Sequence, residues 1–427
     1  MWRKVLGTGG ARAFRTAALL ASTAITARVL GPEERGTYVA AVAWVSLFAI
    51  AGHLSLSEAA VYQGGGPART VQAGPIAATL LALVAGLTLL GWCVALAAYA
   101  VSGGAWFRSM HPVVLALAFL QLPLLIWMEA GVAVFLLLDA LPAANRAKVA
   151  GGCVNVAATF LLVAVWGGGI LGALAALLLG QLTVVGAELA VVRRHLVNVR
   201  PSWTLARSLM RAGVRLHPSA AATALTLVVP VLLLGYFHPG AEVGYYQLAQ
   251  QFVNGMQLLA TSAGLVAYTL VADVGPDRAW PRHRVLVVQA VFLSAVAAAA
   301  AAVAAPALVH LVAGPSFLPA VPVFQAMLLA VPGMTFAAVM APQWVGRGLF
   351  APLGALTLAV SIIGVGAAWR GILSHGVAGA AWAFVLASGV GAVVNGAMVM
   401  WVRRASRTAV PGGGRPGSPV LANDSAA

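Results

Sequence analysis

The chain is written as long apolar runs separated by short polar breaks. The runs lie at roughly 11–30, 37–62, 75–101, 111–138, 147–166 and 169–192, then 213–237, 244–271, 285–313, 317–343, 350–369 and 376–402. A stretch of about 20 apolar residues spans a bilayer core as a helix. Each run therefore predicts a membrane-crossing helix, twelve in all. Several breaks carry residues that end helices: Gly31-Pro32, Pro142, Gly167 to Gly169, Pro239-Gly240, Gly314-Pro315 and Gly348. A β-barrel would alternate polar and apolar positions, whereas Leu174 to Gly180 and Ala295 to Ala305 are continuously apolar. The pattern predicts an all-α polytopic membrane protein.

Composition agrees with that class. Hydrophobic residues make up 61% of the 427 and charged residues 8%, where a soluble domain averages about half and about a quarter. The net charge of +15 does not indicate a nucleic-acid partner, because the basic residues sit at the ends of apolar runs and form no single basic face. They set an orientation instead. With a cytoplasmic N-terminus, Arg28, Arg35, Arg108 and Arg370 fall outside, and the remaining 21 of 25 Lys and Arg (25 − 4) fall inside. The expectation is a multi-pass protein of the cell membrane with both termini cytoplasmic. Met1 to Ala27 resembles a cleavable signal peptide in its basic start and small residues, but Thr23 and Thr26 interrupt its apolar stretch. A retained first helix is expected. Cys93 and Cys153 lie inside apolar runs and are read as buried small hydrophobes with no disulfide. From residue 405 the chain turns to Pro, Gly and Ser, which predicts a disordered cytoplasmic tail over 405–427.

Two polar corners echo each other. Gly36-Thr37-Tyr38 matches Gly244-Tyr245-Tyr246 at an offset of 207–208, and Gly169-Ile-Leu-Gly172-Ala173 matches Gly376-Val-Ala-Gly379-Ala380 at 207. This predicts a duplicated six-helix unit: a lobe over 1–200 and a second over 201–404. Because six is even, both lobes enter the membrane in the same direction, as in transporters built from parallel repeats. Transport is the leading function class.

ARVLGPEERGTYVAAVAW (residues 27–44), HLSLSEAAVY (53–62), RAGVRLHPSAAA (211–222), LLLGYFHPGAEVGYYQLAQQF (232–252) and GVAGAAWAFVLASG (376–389) resemble the polysaccharide-biosynthesis flippases of the MOP (multidrug/oligosaccharidyl-lipid/polysaccharide) exporter superfamily. The resemblance covers nearly the whole chain and implies a MATE-like fold. It also implies flipping of a polyprenyl-diphosphate-linked oligosaccharide by alternating access, with membrane lipid and other surface-glycan assembly proteins as partners and no cofactor. Relatives often carry an Asp before the LLLG of the seventh helix, where this chain has Val228-Val229-Pro230. That puts a carboxylate ion site there in doubt, and Pro230 is expected to kink the helix instead.

An ionisable group inside a span is costly and by default a functional candidate. An arginine fork suits phosphate. Arg15 and Arg215 begin the first and seventh helices at corresponding places and are the leading phosphate-contact candidates, with Arg28 next. The alternatives are snorkelling anchors for Arg15 and Arg215, and a pair with Glu33 or Glu34 for Arg28. Among the acids, Glu129 is expected deep in the fourth helix beside Gln121 and Trp127, and is the better proton or cation candidate, with a structural hydrogen bond to a neighbouring helix as the alternative. Glu58 is the second ion- or proton-coupling candidate; it and Glu188 are expected near the cytoplasmic ends, where an interfacial role is the alternative. His53 and His217 are weaker candidates. No metal-site, nucleotide-binding or catalytic motif occurs. The rival functions are a cation-coupled drug exporter of the same superfamily, disfavoured by the acid-free seventh helix, and a non-transporting component of a glycan polymerase complex. A membrane glycosyltransferase would need a catalytic outer loop that the short loops do not supply.

Overall fold

The computed structural model describes residues 2–65, 69–107 and 110–408, and all the long elements are helices. The N-terminal half runs α1 (Trp2–His53), α2 (Leu56–Gly64), α3 (Arg69–Ser102), α4 (Pro112–Phe119), α5 (Leu122–Ala130), α6 (Val132–Leu137), α7 (Leu141–Thr159) and α8 (Gly169–Val192). The C-terminal half runs α9 (Trp203–Leu227), α10 (Val229–Phe237), α11 (Gly240–Val274), α12 (Pro276–Ala313), α13 (Ala320–Leu328), α14 (Val331–Gly346) and α15 (Phe350–Thr408). In hydrocarbon every backbone N–H and C=O must bond within the protein, so apolar runs of this length close into helices.

Among the described residues nine helices are long and apolar enough to cross a membrane, or ten if α13 and α14, bent by 41°, form one broken span. Two candidates, Phe14–Gly64 and Pro352–Val402, are 51 residues each. They fold at Gly31 and Gly376, whose backbones are non-helical. Two passes for each is consistent with twelve (10 + 2). Gly31 sits at φ 70°, which a residue with a Cβ rarely adopts, and Pro32 opens the next helix with its φ already set.

Several expected boundaries move. The helices begin earlier than the apolar runs, at Trp2 and Trp203, because polar residues extend a helix beyond the membrane at little cost. The fourth run breaks into α4, α5 and α6, with Pro123 and Gly131 at the joints. The fifth ends in a π-helix over Phe160–Val165. The kink expected at Pro230 is present: α9 stops at Leu227 and α10 restarts at Val229. Of the expected tail, 405–408 is the helical end of α15, and residues 409–427 lie outside the described residues, as does Arg108. One correction concerns the cysteines. Cys93 and Cys153 are unpaired as expected, but both are exposed on helix surfaces, where a bilayer accepts a small apolar side chain as readily as a protein core does.

Two large apolar cores form. One gathers residues from Ala40 to Leu209, centred on Trp127, Phe135 and Leu122. The other gathers Val231 to Phe384, centred on Tyr246, Phe317 and Phe324, and also takes in Ala27, Val39 and Ala43. Helix α1 thus contributes to both, and it is the element on which the halves meet.

Candidate functional site

The candidate site is the seam between the halves. At one end, here the corner end, the charged turn of α1 is seated on the ends of C-terminal helices. Glu33 accepts from the backbone N–H groups of Gly240 and Ala241, at 3.0 and 2.8 Å, where α11 begins. Arg28 donates to the carbonyls of Leu311 and Val312, at 2.5 and 3.3 Å, where α12 ends. A carboxylate at a helix N-terminus and a cation at a C-terminus both match the helix dipole and occupy groups the helix leaves unbonded. Arg28, expected as a phosphate contact or a partner of Glu33 or Glu34, is recorded on these two carbonyls.

Arg35, one turn further on, is buried to 1% exposure. It donates to the Gly244 carbonyl at 3.1 Å, to Gln247 Oε1 at 2.5 Å and to Gln251 Oε1 at 3.3 Å. Its guanidinium carbon stands 5.7 Å from the centre of the Phe317 ring. Deeper along the same seam, Thr23 donates to Gln251 Oε1 at 2.5 Å. Ser22, on the neighbouring face of α1, bonds Asn155 and Thr159 of α7. The approach is close: a Cβ on Gly36 would lie 2.5 Å from the Gly240 carbonyl carbon, and one on Gly244 would lie 2.5 Å from the Pro32 carbonyl oxygen.

The corner repeats within the halves. Glu242 accepts from the Val377 N–H at 2.7 Å, at the kink of α15. Glu34, 208 positions earlier, has its carboxylate beside Gly169, where α8 begins. The echoed corner therefore places one glutamate at the start of the last helix in each half. Glu33, which has no acidic counterpart at 240–241, is the residue that reaches across to the other half.

At the opposite end, here the basic end, α2 and the tail of α1 meet α9. His53 and His217 stack edge to face with ring centres 5.7 Å apart. Gln63 donates to Ser208 at 2.9 Å, and Gly213 packs against the Leu54 carbonyl oxygen with no room for a Cβ. The halves are in contact at both ends of the seam.

Arg15 and Arg215 are exposed on α1 and α9. Sixteen residues separate Arg15 from Gly31, about 24 Å of helix at 1.5 Å per residue, which places it toward the basic end. The structure records them as two exposed cations and not as a joined pair. Glu58 is exposed on α2. Glu129 lies within the candidate span Pro112–Leu137 with its side chain exposed on the surface of α5, while the adjoining face turns Ile126 and Trp127 into the core. The buried carboxylate of this half is Glu188, expected near a helix end. It is 3% exposed and accepts from Trp127 Nε1 at 3.2 Å. Gln121 accepts from Gln181 at 3.0 Å beside it. Among the described residues no group of three or more metal-ligating side chains occurs.

Arg35 was not singled out in the sequence, where it is one charge of four in a short turn. The available signal was on the facing helix: Gln247 and Gln251, one turn apart in an apolar run, on the face that meets α1.

The fold is shared with solved transporters. An inward-facing multidrug resistance MATE family transporter of the MOP superfamily superposes with a TM-score of 0.75 at 16% identity, covering 93% of this chain and 96% of that one. The lipid II flippase MurJ, in its inward closed conformation, also gives 0.75, at 13% identity, covering 93% and 87%. A MOP superfamily transporter from Pyrococcus furiosus, described as having a binding pocket of reverse polarity, gives 0.56 at 14% identity, covering 92% and 95%. No curated protein sequence matches the chain. The family described as polysaccharide biosynthesis protein matches residues 18–271. With more than half of its length in that match and its fold among the MOP transporters and flippases, the chain belongs to the polysaccharide biosynthesis protein family.

Proposed function

We infer that the protein flips a polyprenyl-diphosphate-linked oligosaccharide from the inner to the outer leaflet of the cell membrane by alternating access. The family match supports the glycan. The observation that carries the anionic carrier is the charge along the seam. Helices α9 and α10 contain no acid, and the stretch of α1 before its corner contains none either, while Arg15, Arg35 and Arg215 lie on α1 and α9. Apart from Glu33, which is bonded to the start of α11, and Glu58 near His217, the seam offers cations with neutral hydroxyls and amides, which suits a diphosphate followed by sugars. The excess of Lys and Arg at the basic end supports a cytoplasmic placement of that end, with the corner end outside. In this reading the two halves act as lobes that part at the basic end to admit the headgroup and at the corner end to release it. The polyprenyl tail stays in lipid.

The test is reconstitution in liposomes with a fluorescent lipid-linked oligosaccharide, scored by its appearance in the opposite leaflet. Arg15→Ala and Arg215→Ala should insert normally yet each lose charge-assisted hydrogen bonds of about 1.5–3 kcal/mol, a roughly 10- to 150-fold loss of affinity. Arg→Lys should fall between, since lysine keeps the charge and loses the fork. An anchor at the membrane surface would tolerate lysine fully. Full transport in both alanine variants removes these residues from the mechanism, and failure of the parent protein to move any such lipid removes the function.

A further inference from the structure

Arg35 combines three properties that packing alone does not require. It is 1% exposed, yet among the described residues no carboxylate lies at ion-pair distance from it. All its hydrogen-bond acceptors are neutral, and all belong to the opposite half: the Gly244 carbonyl, Gln247 and Gln251. Its Nε donates to no acceptor among the described residues. A buried cation is normally paired or fully bonded. Here the closed seam holds a guanidinium on neutral oxygens with one donor unused. Two parallel N–H donors to a phosphate form shorter and stronger bonds than donors to amides. An anion between the halves would therefore outcompete the acceptors that keep this end shut.

We propose that Arg35 is a partner-exchange gate, resting on Gln247, Gln251 and the Gly244 carbonyl while the corner end is closed, and binding a phosphate-bearing anion between the halves when that end opens. The proposal rests on the flippase reading for the identity of the anion, the diphosphate of the lipid-linked glycan. The geometry makes opening conditional on cargo. Without an anion, parting the halves strips Arg35 of its three acceptors at once, along with the Thr23–Gln251 bond that shares one of them. With an anion present, the exposed fork is immediately satisfied. Lysine at this position could supply the charge but not the simultaneous reach to Gly244, Gln247 and Gln251.

The experiment uses the full chain in lipid nanodiscs, with Cys93 and Cys153 replaced by serine. Spin labels are placed at Trp166→Cys and Leu373→Cys, exposed positions at the corner end of each half. The distance distribution is followed against inorganic pyrophosphate, with chloride at matched ionic strength as the control. Pyrophosphate should enlarge the long-distance population in the parent. Arg35→Gln should require about 10- to 150-fold more of it, the loss expected from charge-assisted bonds, and Arg35→Lys should fall between. Both variants must keep the parent's elution profile, and Arg35→Lys keeps the test decisive should Arg35→Gln fail to fold. An unchanged midpoint in the variants overturns the proposal, as does a parent that ignores pyrophosphate. If the parent ignores pyrophosphate but moves lipid-linked glycan in liposomes, the gate falls and the flippase reading stands. If pyrophosphate opens the parent through Arg35 while no such lipid moves, the gate stands for another phosphate-bearing cargo.

Discussion

Replacing Gly36 by alanine should wedge the corner end open. A Cβ built there lies 2.5 Å from the Gly240 carbonyl carbon and 3.0 Å from its Cα, whereas carbon atoms pack best at about 3.5–4.0 Å. The Gly240 carbonyl oxygen is nearer still; the obstacle is backbone, so no rotamer can yield, and α1 and α11 must separate by more than about 1 Å. That shift carries the Arg35–Gly244 contact at 3.1 Å and the Glu33 contacts at 3.0 and 2.8 Å to or beyond hydrogen-bond range. Overpacking of this kind costs about 1–3 kcal/mol, which lowers the closed-to-open ratio roughly 5- to 150-fold. Alanine is also the better helix former by about 0.5–1 kcal/mol, a gain that cancels if α1 stays helical at residue 36 when the seam opens. The assay is the rate at which a membrane-impermeant maleimide labels Ala241→Cys from outside, in a background with Cys93 and Cys153 changed to serine. The rate should rise in proportion to the open population. An unchanged labelling rate in Gly36→Ala would refute the argument that backbone approach at this point holds the end shut.

Wedging the basic end should open the other side of the seam instead. Gly213→Ala meets the Leu54 carbonyl oxygen, so labelling of Ser208→Cys by the same reagent in inside-out vesicles should accelerate while labelling at the corner end does not. In the N-terminal half, Glu188→Ala should cost about 1–3 kcal/mol by leaving buried Trp127 Nε1 without an acceptor, read as a lower thermal midpoint in detergent. Glu188→Gln should recover most of that loss, because its amide oxygen can accept the same bond; equal losses in the two variants would mean that the bond does not matter.

The crossing helices were legible because a bilayer leaves the sequence little choice. A long apolar run must close its own backbone bonds, and Gly31-Pro32 and Pro230 carry their conformational consequences with them. Placement of individual polar side chains was less legible. Glu129 and Glu188 both read as carboxylates inside apolar runs, yet one is exposed and the other is buried against Trp127. The difference is the rotational setting of α5 and α8, fixed by which apolar faces pack, and the run of apolar residues on all sides hides that setting. Arg28 and Arg35 were hidden for a related reason. Their partners are main-chain carbonyls and amide side chains more than 200 positions away, and no local pattern announces a carbonyl as a partner.

What the repeat conveyed was deeper than its residues. Each matched corner places a glutamate at the start of the final helix of its own half, Glu34 beside Gly169 and Glu242 on Val377. The two acids thus take corresponding places at an offset of 208, with the backbone bond made by Glu242. The unmatched charges then stand out by subtraction. Glu33 and Arg35 have Ala241 and Val243 at the corresponding offset, and both make contacts with the other half. Where the two corners match, the acid stays within its own half, and where they differ, the charged residues reach the other half. This one turn is where the two matched corners differ in charge. It is also where the seam is held closed.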